Sequence, residues 1–382
     1  MERRSRWAAL MGALAVTTCL GGLPGPAAAD DGPRAWSFAA YGDSPYGTSP
    51  TDTAQFEASP AFIDSINADP DVSLVTHVGD IHSGKQYCTE AYDRSIAQLW
   101  TRFADSLVYT PGDNEWSDCH KPAEGGHVRD ASGQPVDYAD GDPLDNLALV
   151  RSLFFAKPGE TLGGGNLHVQ SQARVYDRAH PEDAAYVENV MWQRKDVLFV
   201  TVNIPGGSNN DTDPWFGSPS DRQTNEVRLR TAADLRWIDA AFARAHEDGS
   251  RAVVVVSQAD MWDNEKGAAH LTEYEPFVRS LADHTTALGK PVLMFNGDSH
   301  LYRSDNPLSP SAPCVTEDTN GSEVPCASTA GNHPGYDVPN FHRIVVHGST
   351  SPLEWLKVTV AQSDRSAGPN TFGPFTWARH RT

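Results

Sequence analysis

The stretch LVTHVGDIHSG, residues 74–84, ends an apolar run in a Gly-Asp pair and adds a histidine two residues later. The same ending follows three other apolar runs: SFAAYGD ends at Asp43, LVYTPGD at Asp113 and VLMFNGD at Asp298. A fifth Gly-Asp, at Asp142, lies in polar sequence and does not share the pattern. Because glycine permits a sharp turn and a close backbone approach, each of the four aspartates is expected to project from the end of a buried strand.

Strand and helix patterns alternate along the rest of the chain, which is typical of an α/β domain. Predicted strands lie at residues 36–41, 73–77, 106–109, within 251–258 and 290–298, and as an antiparallel pair in 184–203 with QRKD as the turn. Predicted helices lie at residues 53–69, 91–103, 143–155, 221–249 and 275–288, and long loops at 117–142 and 306–335. Late strands within 340–349 and 354–361 are candidate partners of each other.

The four Gly-Asp carboxylates are expected to lie at one edge of the sheet, because ligands in open α/β sheets bind beyond the carboxyl ends of strands. Carboxylates at short separations repel one another, and their pKa values rise unless a cation lies between them. The alternative is that each Gly-Asp is only a turn or a helix N-cap, two roles that favour aspartate. Four such endings after four apolar runs favour a shared metal site.

These blocks resemble the signature of the calcineurin-like metallophosphoesterase superfamily, in a diverged branch with GDNEW and GDSH blocks. Five blocks occur in the family's order, from Asp43 to His300: GDSPY, GDIHSG, GDNEW, VVVVSQADMW and NGDSHLY. The resemblance implies a four-layer α/β/β/α sandwich of two mixed sheets flanked by helices, formed by residues 30–382. It also implies one or two divalent metal ions at the strand ends.

The resemblance assigns metal ligands position by position. Asp43 and Asp80 match the family's first aspartate and its metal-bridging aspartate, and His300 matches the family's last histidine. Asp113, Gln258 and Asp298 stand where the family has an asparagine and two histidines, while Pro45 replaces the histidine of the first block. Carboxylates and an amide in place of imidazoles suit Mn²⁺, Mg²⁺, Ca²⁺ or iron better than Zn²⁺.

The implied reaction is in-line attack on phosphorus by a hydroxide held between two cations that Asp80 bridges. Asn114 takes the place of the family's catalytic histidine; it can donate a hydrogen bond to phosphate but cannot act as an acid. His82 and His120 are the candidate replacement acids. The alternatives are a supporting hydrogen bond for His82 and a surface-loop position for His120. Glu115 is expected to orient a ligand rather than to bind metal.

Two further sets of residues follow or flank the motif blocks. Asn209 and Asn210 follow another apolar run and either reach the same edge or are simply polar loop residues. Aromatic residues near the blocks either line a pocket or pack in the core: Tyr46, Trp116, Trp215, Trp262 and Tyr302.

Charge narrows the range of partners. The chain has 382 residues with 50 acidic and 30 basic side chains, a formal net charge of −20. Such a surface repels nucleic acid and anionic membranes, so we expect neither as a partner. We expect instead a monomer that acts on a small phosphorylated substrate.

Residues 1–29 have the pattern of a signal peptide: a basic MERRSRW, an apolar AALMGALAVTTCLGGL and a small-residue PGPAAA site. A membrane anchor is the alternative, but the apolar run is short and contains Gly and Thr. Cleavage predicts a secreted protein without a membrane segment and with four cysteines. Sequence proximity favours the disulfides Cys88–Cys119 and Cys314–Cys326 among the three pairings. A zinc site competes, but the CxxC spacing is absent.

Together these features predict a secreted, metal-dependent phosphoesterase for phosphomonoesters or phosphodiesters. The alternative is a catalytically degenerate, cation-dependent binding protein on the same fold, which the loss of two family histidines supports. A nuclease is disfavoured by the acidic charge. The sequence contains no G-x-S-x-G, Walker or dinucleotide-binding motif.

Overall fold

A computed structural model describes residues 35–211, 213–263, 267–364 and 370–382. The predicted signal peptide, residues 1–29, lies outside the described residues. The strands are β1 (Trp36–Tyr41), β2 (Val72–His77), β3 (Ser106–Tyr109), β4 (Leu162–Gly163), β5 (Gln170–Ser171), β6 (Val190–Arg194), β7 (Val197–Thr201), β8 (Ala252–Val256), β9 (Val292–Asn296), β10 (Arg303–Asp305), β11 (Val315–Glu317), β12 (Glu323–Pro325), β13 (Phe341–Val345), β14 (Glu354–Val360), β15 (Thr371–Phe372) and β16 (Phe375–Arg381).

Helices cover both sheets. The α-helices are α1 (Ala54–Asn67), α2 (Glu90–Trp100), α3 (Pro143–Phe154), α5 (Asp221–Glu247) and α6 (Glu275–Leu288), and the label α4 is given to the left-handed turn Gly206–Asn210. Short 3₁₀ turns lie at Pro122–Glu124, Tyr138–Gly141, Pro181–Ala185, Trp215–Gly217, Ala268–Tyr274 and Ala330–Asn332. Asp142, the Gly-Asp that did not fit the strand-end pattern, caps α3 by accepting hydrogen bonds from the N–H groups of Leu144 and Asp145, both at 3.0 Å.

The strands form two mixed sheets. Sheet I has the order β15-β16-β14-β1-β2-β3-β4, and sheet II has the order β12-β11-β10-β13-β9-β8-β7-β6-β5. Strands β1, β2 and β3 are parallel to one another, as are β7, β8, β9 and β13. Within each parallel set the carboxyl ends lie at the same edge, so the residues that follow these strands are brought together.

Three apolar layers hold the sheets and helices together. Between the sheets, Phe38 of sheet I packs edge-on against Phe199 of sheet II with ring centroids 5.2 Å apart. On the outer face of sheet I, α1, α2 and α3 contribute residues such as Ile96 to a second cluster. On the outer face of sheet II, α5 and α6 contribute residues such as Trp237. The predicted four-layer α/β/β/α sandwich is confirmed.

Two predictions about the carboxyl-terminal third were wrong. The late strands β13 and β14 do not pair with each other: β13 lies beside β9 and β10 in sheet II, whereas β14 lies beside β1 and β16 in sheet I. The segment 306–335, predicted as loop, contains the short strands β11 and β12 at the edge of sheet II. Edge strands this short carry too few residues for a period-2 pattern to be recognised.

The favoured cysteine pairing is confirmed. Disulfides join Cys88 to Cys119 and Cys314 to Cys326. The first ties the segment after Asp80 to the loop after Asp113. Such bonds persist in oxidising compartments. In the described part of the chain, no helix has both the length and the apolar character needed to cross a bilayer.

Candidate metal centre

The carboxyl ends of the parallel strands carry the predicted ligands to one rim of the sandwich. Asp43 follows β1, Asp80 follows β2, and His300 lies four residues beyond β9. One potential ligand atom from each of these three residues lies within 4.8 Å of the other two. Residues separated by more than 200 positions in the sequence therefore meet at one point.

Asp43 is fully buried at the centre of this group. Its Oδ1 atom accepts a hydrogen bond from the N–H of Asp298 at 2.8 Å and lies 3.5 Å from Nε2 of His300. Its Oδ2 atom is buried without a hydrogen-bond partner. A Cβ atom on Gly297 would lie 2.1 Å from that Oδ2 atom, so the backbone approaches the carboxylate as closely as only glycine allows.

Asp80 is held by three neutral donors. Its Oδ2 atom accepts from the Tyr46 hydroxyl at 2.6 Å, from Nδ2 of Asn114 at 3.1 Å and from Nε2 of Gln258 at 3.2 Å. A Cβ atom on Gly112 would lie 1.8 Å from Oδ1 of Asp80. The glycines of the Gly-Asp blocks thus make room for the carboxylates of neighbouring blocks.

Gln258 takes the opposite orientation from the one expected. Its Oε1 atom accepts from the N–H of Gly206 at 2.5 Å, and that donor fixes which end of the amide faces it. Its Nε2 atom therefore points at the carboxylates and donates to Asp113 at 2.9 Å and Asp80 at 3.2 Å. The side-chain oxygen predicted as a metal ligand is occupied by Gly206, which corrects that prediction.

Asp113 and Asp298 flank the metal-ligand group on the side of Gly206. A Cβ atom on Gly206 would lie 2.4 Å from Oδ2 of Asp113 and 2.8 Å from Oδ1 of Asp298. Asp298 also accepts a hydrogen bond from the N–H of Asp260 at 3.0 Å. The two carboxylates are adjacent to the group of Asp43, Asp80 and His300 without belonging to it at the 4.8 Å limit.

Four of the six predicted ligands adopt left-handed backbone conformations. The φ angles are 47° for Asp43, 61° for Asp80, 73° for Asp298 and 64° for His300. Sparsely populated conformations of this kind cost about 1–3 kcal/mol each and cluster at functional sites. The same conformation occurs at turn residues outside the site, such as Asp140 and Lys195, so it supports the site only together with the convergence of the side chains.

The carboxylates are electrostatically uncompensated by the protein. Burial raises the pKa of Asp43, Asp80 and Asp298 well above the usual range, and the charge of Asp113 raises each further. A backbone N–H donated to Asp43 and to Asp298 partly opposes the increase. Burial lowers the pKa of His300 to about 4, which leaves a neutral imidazole.

A cleft of about 590 Å³ opens over these residues. Its lining includes Tyr46, Asp80, Asp113, Asn114, Asp118, Asp260, Asp298 and His300. Among the aromatic residues near the motif blocks, Tyr46 lines this cleft, while Trp116, Trp215, Trp262 and Tyr302 are buried in the interior.

Neither candidate acid is among the described lining residues of the cleft, although His120 lies within 4.8 Å of the lining residue Asp118. His82 is buried against Tyr92, its Nδ1 atom lies 3.2 Å from the carbonyl of Ser83, and burial lowers its pKa to about 4. His120 packs near Phe216, and burial lowers its pKa as well. Neither position supports the role of proton donor to a substrate in the cleft.

Asn114 does line the cleft, but its Nδ2 atom is already engaged with Asp80, the Tyr46 hydroxyl and the His82 carbonyl, at 3.1, 2.9 and 3.0 Å. Glu115 accepts hydrogen bonds from the N–H of Gly112 at 2.7 Å and from the Tyr109 hydroxyl. Both residues hold the Gly-Asp turn in place. The orientation of a ligand by Glu115 stays a prediction.

Asn209 and Asn210 serve a structural purpose. Asn209 accepts hydrogen bonds from the buried guanidinium of Arg230, and Oδ1 of Asn210 accepts from Nε1 of Trp215 at 2.9 Å. Both lie in the left-handed turn α4, with φ near +60°. These bonds fix the turn that places Gly206 between Asp113 and Asp298.

The site fits a divalent cation. It offers buried carboxylate oxygens, one of them unpartnered, and one neutral imidazole. Oxygen-rich donor sets of this kind suit Mg²⁺, Mn²⁺ or Ca²⁺. The hydrogen bonds from Gln258 to Asp80 and Asp113 partly neutralise the position at which a second cation would bind.

Comparisons with known proteins identify no family for this chain. No family model matches the chain, and no curated protein matches it. Among solved structures, purple acid phosphatase PPD1 from yellow lupin (Lupinus luteus) seeds is similar, with 11% sequence identity and a TM-score of 0.40. The alignment covers 85% of this chain and 49% of that one, so this chain spans about half that protein's length.

Proposed function

We propose that this protein is a metal-dependent hydrolase of phosphoric esters, acting on phosphomonoesters or phosphodiesters. The observation that carries the proposal is the convergence of Asp43, Asp80 and His300 within 4.8 Å at the end of a cleft. Buried carboxylates without a protein cation beside them either take up protons or bind an external cation. A reaction centred on an anionic phosphoryl group is the chemistry for which such an acidic site requires a cation.

Each residue has a defined task in this proposal. Asp43, Asp80 and His300 would hold the cation, and Asp113 and Asp298 would hold a second one beside Gly206. Tyr46 and Asn114 keep the Asp80 carboxylate in one orientation. A divalent cation in this position supplies Lewis-acid polarisation of the phosphoryl oxygens and lowers the pKa of water.

The net reaction is hydrolysis. A water oxygen forms a bond to phosphorus, the ester P–O bond breaks, and its electron pair leaves with the alcohol oxygen, which gains a proton. Because neither candidate histidine is among the described lining residues, we expect alcohols that leave easily, such as phenols, to react best.

The test is turnover of p-nitrophenyl phosphate and bis(p-nitrophenyl) phosphate by purified protein with added Mn²⁺. We expect chelator-sensitive activity that Asp80→Asn reduces by at least about 1,000-fold, or about 4 kcal/mol of transition-state stabilisation. Asp283→Asn, an exposed position on α6, is the matched control and should keep full activity. Activity that is unchanged by both chelator and Asp80→Asn would refute the proposal.

A second candidate, a cation-dependent binding protein without catalysis, is favoured by one observation. The amide of Gln258 donates to both Asp80 and Asp113, at 3.2 and 2.9 Å, where the second cation of an enzyme would bind. Multiple turnovers per chain would exclude this candidate. Cation binding without product release would support it.

We also propose that the protein is exported and acts on small molecules as a monomer. The two disulfides and the pattern of residues 1–29 support export. The net charge of −20 makes nucleic acid an unfavourable partner. Determination of the amino-terminal sequence of the secreted protein, with residue 30 expected first, would test the export step.

A further inference from the structure

The charge of the cleft is strongly one-sided. Its acidic lining residues are Asp80, Asp113, Asp118, Asp260, Asp263 and Asp298. Lys85 is the one lysine or arginine among the lining residues in the described part of the chain. Lys121, the nearest lysine in sequence beyond it, is not a lining residue, and its ammonium already pairs with Asp118 and Asp213 at 2.5 and 3.0 Å.

The backbone that carries Lys85 is fixed from several directions. The Gln86 Oε1 atom accepts hydrogen bonds from the N–H groups of Gly47 and Ser83 at 2.7 and 3.1 Å. The Ser83 hydroxyl donates to the Gly47 carbonyl at 2.6 Å and accepts from the N–H of Lys85 at 3.2 Å. The disulfide at Cys88 follows three residues later. Only the side chain of Lys85 has to be ordered when a ligand binds.

Depth separates Lys85 from the proposed cation site. Asp80 is 1% exposed, whereas Lys85 is an exposed residue. Both residues line the cleft, whose volume of about 590 Å³ falls in the range of pockets that enclose whole small-molecule ligands. A phosphoryl group at Asp80 would leave most of this space for the rest of the substrate, which would extend towards the mouth.

We propose that Lys85 binds a second anionic group on the leaving group of the substrate, a phosphate or a carboxylate. This inference rests on the proposed phosphoesterase function. The rest of the lining consists of carboxylates, hydroxyl groups, an amide, two imidazoles and glycines. A second anion therefore finds a permanent positive charge at Lys85 and repulsion from the carboxylates. The preferred substrates are then small phosphoesters with two anionic groups, one at each end.

The experiment compares three matched substrates: phenyl phosphate, 4-carboxyphenyl phosphate and 1,4-phenylene bisphosphate. We expect Lys85→Ala to raise KM about 5- to 10-fold for the two substrates with a distal anion, as expected for one partly exposed charge pair, and to leave kcat unchanged. KM for phenyl phosphate should stay the same. Lys85→Arg should restore most of the loss. Lys290→Ala, which removes an exposed charge next to the amino end of β9, is the control and should change nothing.

The pattern across substrates decides the outcome. An effect with only the bisphosphate or only the carboxylate supports the proposal and identifies the anion. An equal rise in KM for phenyl phosphate would overturn it, since Lys85 would then contact the scissile phosphate. No change with any substrate would overturn it as well.

A binding measurement separates this inference from the proposed activity. In the presence of Mn²⁺, we expect 4-carboxyphenylphosphonate to bind the wild-type protein more tightly than phenylphosphonate does. Lys85→Ala should abolish that difference. If the wild-type protein hydrolyses no ester, the proposed function fails, while a difference between the phosphonates that depends on Lys85 would still support the subsite. Equal affinities in the wild-type protein would overturn it.

Discussion

Two clusters of buried carboxylates in this fold differ in how their negative charge is compensated. The arginine-paired cluster consists of Glu317, Glu354, His347, Arg379 and Arg381, and it joins sheet II to sheet I. Arg379 and Arg381 donate to Glu354 at 2.6 and 2.7 Å, and Nδ1 of His347 lies 2.6 Å from Glu317. Every carboxylate there has a cationic partner supplied by the protein.

The rim cluster, Asp43, Asp80, Asp113, Asp298 and His300, has no arginine or lysine salt bridge among the described residues. Its hydrogen-bond donors are backbone N–H groups, two side-chain amides and a hydroxyl. Burial raises the pKa of Asp43, whereas hydrogen bonds outweigh burial and lower the pKa of Glu317 to about 2. The difference indicates that the protein itself compensates the arginine-paired cluster, whereas the rim carboxylates have either to take up protons or to bind an external cation.

The largest effect is expected when the arginine-paired cluster loses its central cation. Arg379 bonds both Glu317 and Glu354 and lies over the ring of Tyr302, 4.2 Å from its centroid. Arg379→Met should lower the free energy of unfolding by about 3–4 kcal/mol, because it leaves buried carboxylates short of a partner. Urea unfolding without metal measures this. The control Arg228→Met, on the exposed face of α5, should change stability by less than about 0.5 kcal/mol.

In the rim cluster, removal of a side chain should lower the affinity for a cation. His300→Ala removes a ligand and should weaken Mn²⁺ binding on the order of 100-fold, about 2.7 kcal/mol. Competition with a fluorescent chelator measures the Kd. His284→Ala is the matched control, because that imidazole pairs with Asp239 at 2.7 Å on the helical face. Equal affinities for the two variants would remove His300 from the site.

The pH dependence should separate the two clusters further. Burial alone would raise the pKa of Glu317, but hydrogen bonds from His347, the Tyr302 N–H and Arg379 lower it to about 2. A lowered pKa stabilises the fold above the unfolded-state value of 4.5, and this contribution is lost as the pH falls from there towards 2. After allowance for solvent screening, this protonation should lower the free energy of unfolding of the wild-type protein by about 2 kcal/mol, and Glu317→Gln should not show that decrease. Urea unfolding at pH 7, 4.5 and 3 tests it, and parallel pH curves for the two proteins would contradict it.

The smallest expected effect is a gain in stability, where the preceding substitutions cause a loss. Asp43→Asn keeps an acceptor for the Asp298 N–H and removes a charge that burial disfavours. In chelator at pH 8 the variant should therefore be more stable than the wild-type protein, by about 1 kcal/mol. With saturating Mn²⁺ the order should reverse. A variant that is less stable than the wild-type protein in chelator would show that the rim cluster is already compensated.

The sequence predicted the central strands and helices well, because long apolar runs and clear periodicity mark them. β1, β3 and α6 match their predicted bounds, and the Gly-Asp pattern identified the strand ends that meet at the rim. The orientation of Gln258 could not be predicted, because it depends on the N–H of Gly206, 52 positions away. The same is true of the positions of His82 and His120, since tertiary packing, and not distance from a motif, decides which loop residues face the cleft.

The most direct test of the account is titration of chelator-treated protein with Mn²⁺ by calorimetry, paired with the melting temperature and with Asp80→Asn. We predict saturable binding of one or two ions to the wild-type protein, and a gain in stability of about 2.7 kcal/mol when free Mn²⁺ exceeds Kd 100-fold. Asp80→Asn should lose both the binding and the gain. A wild-type protein that binds no Mn²⁺, Mg²⁺ or Ca²⁺ and whose melting temperature does not change would contradict the account.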